Sequence, residues 1–138
     1  MVMLSSGLPE QVSDGEDLVR FLTQSSQFST TLVLVKPATF LPNPRDQNTS
    51  VSRHGREPED KLWAIGQVAA GSRTLHGAAI FKAVNVRAAK LEVVPDEPPQ
   101  RHAVITGWAR DADPVLQKAK QIEAALLIAG AAELLLVK

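Results

Sequence analysis

Proline partitions this chain more strictly than any other residue. Each proline fixes φ and removes a backbone donor, so the run before it must end or turn there. Pro37 closes the apolar run Phe28–Lys36, Pro42 and Pro44 punctuate the loop that follows, and Pro98 and Pro99 sit in a turn that excludes regular structure. Pro58 and Pro114 stand instead at helix openings, the place where a helix tolerates proline.

The segments between these breaks are read from their apolar spacing. Ser13 or Asp14 caps a short helix through Leu18, Phe21 and Leu22. Phe28–Lys36 is rich in β-branched residues and reads as a strand, and Thr49–Arg53 reads as a short edge strand. Glu57–Asp60 opens a helix with Leu62, Ile65 and Ala69 on one stripe, stopped by Gly71. A second helix is expected from about Leu75 to Ala89, since Leu75, Ala79, Ala83 and Val86 recur at helical spacing. Leu91–Val94 and His102–Thr106 are strands, and Asp113 caps a last helix carrying Val115, Ala119, Ile122, Leu126 and Ala129 on one face. Glu133–Val137 is read as a terminal strand in preference to a helical continuation.

The expected fold is α+β, with a mixed sheet of four to five short strands covered by about three helices. Residues 13–138 form this single compact domain, behind a loose N-terminal arm at residues 1–12. With 44% hydrophobic and 22% charged residues the chain is too apolar to remain disordered.

Fifteen basic side chains balance fifteen acidic ones, so affinity for phosphate must come from a local patch. Cysteine is absent, which removes disulfides and thiol nucleophiles. The start lacks a basic region followed by a sustained apolar run, and no stretch of about 18 apolar residues occurs. These features lead to the expectation of a cytoplasmic protein with no membrane association.

Three segments could carry chemistry. Ser50, Ser52, Arg53 and His54, supported by Arg45 and Arg56, combine hydroxyls with guanidinium forks suited to phosphate. The same residues also read as a solvated loop whose arginines pair with Asp46, Glu57 and Asp60. Arg73 and His76 flank a helix entrance, where Gly77, Ala78 and Ala79 also read as small residues permitting close packing. Arg101 and His102 lead the strand that ends in Gly107-Trp108, where the tryptophan could stack on a ligand or pack in the core. The ligand-binding candidates are Ser50, Arg53, Arg73, His76 and His102.

The three histidines do not share a metal-ligand spacing, and no metal or cofactor is expected. Neither a glycine-rich phosphate loop nor a Gly-x-Ser-x-Gly elbow occurs.

The chain resembles a group of small bacterial proteins of unknown function. Lys36-Pro37-x-x-Phe40-Leu41-Pro42, Ser50-Val51-x-Arg53, Leu62-Trp63-x-Ile65-Gly66, Gly77-Ala78-Ala79 and His102-Ala103-x-Ile105-x-Gly107-Trp108 carry the likeness. It departs from that pattern at Ser52, Val104 and the residue after Trp108. The resemblance implies a domain and brings no activity with it. Leu75-His76-Gly77 is also faintly similar to the His-Gly opening of ADP-ribosyl- and RNA 2′-phosphotransferases, which implies a remote enzyme alternative.

The leading expectation is a pocket for a phosphate-bearing small molecule or nucleic-acid end. The alternative is a non-catalytic interaction or accessory subunit, docking on a protein partner or a second copy through Leu134–Val137 or the proline loop.

Overall fold

The computed structural model describes residues 4–53 and 56–137. Among these residues there are eight strands, β1 (Asp17–Leu22), β2 (Phe28–Ser29), β3 (Leu34–Val35), β4 (Thr49–Arg53), β5 (Gly77–Lys82), β6 (Glu92–Pro95), β7 (His102–Thr106) and β8 (Glu133–Leu136). The three α-helices are α1 (Glu59–Ala70), α2 (Ala83–Ala88) and α3 (Pro114–Ala131). Six strands form one sheet in the order β6-β7-β4-β1-β5-β8, and each of its pairings is antiparallel. The sequence leads one to expect four to five strands in one sheet. The fold is α+β as expected, with six strands in that sheet and a separate β2-β3 hairpin.

Two segments expected as helix are strand. Asp17–Leu22 lies between β4 and β5 with both faces covered, so Leu18, Val19, Phe21 and Leu22 are all buried. A strand buried on both sides shows no alternation, and its apolar residues fall at helical spacing by coincidence. The expected helix 75–89 divides into β5 and the short α2. The small residues of β5 serve sheet packing: a Cβ on Gly77 would run into the carbonyl oxygen of Leu135 on β8. The run 28–36 is a hairpin, its turn held by the Leu32 amide donating to Ser29 Oγ at 3.1 Å. β4, expected at an edge, is interior, flanked by β7 and β1.

The sheet has two unequally covered faces. Against one lie α2, α3 and the 3₁₀ turn at Pro37–Phe40, enclosing Leu18, Leu22, Phe40, Val51, Phe81, Ile105, Trp108 and Ile128. Asp113 caps α3 by accepting from the Val115 amide at 2.9 Å, with Pro114 at the first position as expected. Trp108 belongs to this core, its Nε1 donating to the Ile105 carbonyl, so it is no stacking platform. On the other face α1 packs on β1 and β5, where Leu62 and Ala70 meet Val19, Phe21, Ala78 and Ile80, with Leu135 of β8 against the same cluster. β4 and β7 are left open there.

Residues 4–12, expected to be a loose arm, are tied down. Val12 is buried, and Ser5 and Ser6 donate to the Glu97 carboxylate at 3.0 and 2.6 Å. Burial pushes Glu97 up, but the donors Ser6, Arg101 and Ser5 outweigh it and hold the carboxyl below its ordinary value near 4.5. A carboxyl depressed by folding stabilises the fold above its unfolded pKa, and that contribution is lost as pH falls through the folded value. Urea midpoints measured from about pH 6 down to about pH 3 should therefore drop less steeply in Glu97→Gln than in the wild type. Equal slopes would remove Glu97 as the origin of that step.

Candidate functional site

The open half of the sheet face and the flank of α1 enclose a cavity of about 480 Å³. That lies within the range of small-molecule sites, roughly 300–1,000 Å³. Its floor is built by register. Val19 pairs with Ser52, and Ser52 with His102, so these side chains stand in a row on one face. Ser50 follows two residues along β4 and points the same way. The hydroxyls of Ser50 and Ser52 have no hydrogen-bond partner among the described residues.

β1 and β4 pair only at Leu18↔Arg53 and Val19↔Ser52 and then diverge. Arg20 occupies the opening. Its Nε donates to the Thr39 carbonyl at 3.1 Å and its Nη1 to the Ser50 carbonyl at 3.0 Å, in place of ladder bonds the two strands do not make. Arg73 follows the C-terminus of α1 and folds back onto it, donating to the Ala70 and Ala69 carbonyls at 3.1 Å each. These contacts leave Nη2 of Arg20 and Nη1 of Arg73 unused. Neither guanidinium has a carboxylate within ion-pair distance among the described residues.

The electrostatic consequence is visible at Arg20, whose pKa is lowered first by burial and then by the charge of Arg73. Arg101 and His102 also line the cavity, whereas no aspartate or glutamate does. Arg101 is ion-paired, its Nη1 standing 3.0 Å from Glu57 Oε1. It holds φ at 72°, a left-handed conformation uncommon for a long side chain, while its amide donates to Glu97. His102 Nδ1 donates to the Asp96 carbonyl at 2.9 Å and stands 3.3 Å from the Asp96 carboxylate, which orients the ring. The cavity thus concentrates guanidinium groups and hydroxyl donors around one imidazole.

Of the five residues singled out from sequence, Ser50, Arg73 and His102 line this cavity. Arg53 does not: β-strand alternation turns it inward, where it is 1% exposed and its Nε and Nη2 meet Glu16 at 2.8 and 2.7 Å. His76 lies elsewhere too, its ring 5.8 Å from that of Phe28. Arg56 is exposed and ion-paired, as in the solvated-loop reading, but with Glu133 and Asp17 in place of the expected Asp46, Glu57 and Asp60. His54 lies outside the described residues.

Arg20 is the residue that sequence reasoning missed. Its signal is a lone arginine inside the apolar run Asp17–Leu22, legible only once that run is taken as a strand. Among the described residues no group of three or more His, Asp or Glu side chains could hold a metal ion, and no helix is long and apolar enough to cross a membrane.

Comparison with family models, curated proteins and solved structures finds no match to this chain.

Proposed function

We propose that this protein binds a small phosphate-bearing ligand in the cavity between α1 and the open half of the sheet. One observation carries the reading: two guanidinium groups, Arg20 and Arg73, face a common hollow without a carboxylate to neutralise either. Arg20 is half-buried, where a cation is ordinarily paired, while Arg73 is exposed at the mouth of the hollow. A phosphate would accept from Arg20 Nη2, Arg73 Nη1 and the Ser50 and Ser52 hydroxyls, and so complete what the fold leaves open. His102 is the one imidazole in the lining among the described residues, its ring oriented by Asp96 beside the hollow.

Isothermal titration calorimetry with inorganic phosphate tests the reading. Arg73→Gln removes one charge-assisted contact, for which a loss of about 10-fold in affinity is expected, with a weaker dependence on salt. Arg73 also caps α1, so the urea midpoint is recorded beside the titration. Absence of phosphate binding by the wild type, or binding unchanged in the folded variant, sinks the proposal.

A second reading is favoured by the outer face of α3, where Val115, Leu116, Leu126 and Leu127 are exposed, next to the free edge of β8. On this reading the chain is a non-catalytic interaction subunit. Light scattering reports whether it self-associates; a monomer that binds phosphate favours the first reading.

A further inference from the structure

The cavity is not uniformly polar, and the second character of its wall narrows the ligand. Helix α1 carries two apolar stripes. Leu62, Gly66 and Ala70 pack on the sheet, with Gly66 so close that a Cβ there would stand 2.7 Å from the Phe21 ring. Ile65, Val68 and Ala69, at spacings of three and four, form the other stripe and line the cavity. Ile65 is half-buried against the core beneath α1, but core packing does not require the other two, since Val68 is 75% exposed and Ala69 is exposed as well. Polar residues fill other outward positions of the same helix, among them Lys61 and Gln67. Apolar groups are thus displayed along the α1 wall, with Arg73 at its C-terminal end and Arg20, Ser50 and Ser52 supplied by the sheet.

We infer that the ligand is an amphipathic phosphate monoester, with its phosphate held by Arg20 and Arg73 and its apolar substituent laid along Ile65, Val68 and Ala69 of α1. This deepens the phosphate-binding reading and rests on it. A sugar phosphate or a nucleic-acid backbone would put hydroxyls or charges against an aliphatic wall that offers them no hydrogen bond. A nucleotide would need groups to read its base or ribose, and the α1 wall supplies none. An alkyl or aryl substituent instead removes apolar surface from water on both partners.

The experiment compares inorganic phosphate, hexyl phosphate and adenosine monophosphate by calorimetry on the full chain, wild type and Val68→Asn. Val68 is a surface position, so the variant should fold, and circular dichroism verifies that it does. Hexyl phosphate is expected to bind at least 10-fold more tightly than both other probes, and Val68→Asn to erase most of that advantage while leaving inorganic phosphate unchanged. Equal affinity for hexyl and inorganic phosphate, tighter binding of adenosine monophosphate, or a hexyl advantage untouched by Val68→Asn overturns the inference and leaves phosphate binding standing. Failure of all three probes to bind removes the phosphate reading itself, and the inference falls with it.

Discussion

Replacement of Arg53 by alanine is expected to lower the stability of the fold by about 3–5 kcal/mol, the range for removing one partner of a buried ion pair. The Arg53 side chain is 0% exposed and that of Glu16 7% exposed, and the two meet through two parallel hydrogen bonds. A third donor, Nη1, reaches the Pro9 carbonyl, so the same guanidinium holds the N-terminal segment to β4. Alanine would leave the Glu16 carboxylate without its guanidinium and the Pro9 carbonyl without its donor. Urea denaturation measures the loss. Replacing both partners together, Arg53→Met with Glu16→Leu, should cost much less, because no charge is then left behind. A stable Arg53→Ala protein that no longer bound phosphate would return Arg53 to the binding site and refute its structural assignment.

Arg20→Ala is expected to reduce affinity for inorganic phosphate by at least about 100-fold, and to destabilise the fold by about 1–3 kcal/mol. Both effects have one origin. The guanidinium bridges the Thr39 and Ser50 carbonyls where β1 and β4 part, and its remaining Nη2 is the donor available to a ligand. Arg20→Lys separates the two roles. The ammonium keeps the charge but cannot span both carbonyls while reaching a ligand, so affinity should fall less than in Arg20→Ala, with much of the stability loss retained. Calorimetry and urea denaturation on both variants provide the readings. Unchanged phosphate affinity in a folded Arg20→Ala protein would dismiss Arg20 as a ligand contact.

Legibility in the sequence followed local chemistry. Asp113-Pro114 marked the start of α3, Gly71 the end of α1, and the two runs beside Pro98-Pro99 were recognisable as β6 and β7. β1 and β5 were not legible as strands. Burial on both faces erases the two-residue period in Leu18–Leu22, and Ala78, Ala79 and Ile80 owe their small or apolar character to neighbours distant in the chain. The site suffered accordingly. Ser50, Arg73 and His102, which line the cavity, sit beside turns and strand ends where sequence chemistry is local, whereas Arg20 lies in a segment of misassigned period. Arg53 and Ser52 are adjacent in sequence, yet alternation sends one into the interior and the other into the cavity. Only the pairing register, which depends on tertiary contacts, decides which is which.

The roof of the cavity and the interior behind the sheet belong to separate apolar clusters. Val68 and Ala69 stand outside both clusters and are exposed, so exchanging these two positions on α1 alters the size and polarity of the cavity wall while Leu18, Phe81 and Ile128 keep their packing. For the proposed ligand, selectivity would then be adjustable from a single outer helix.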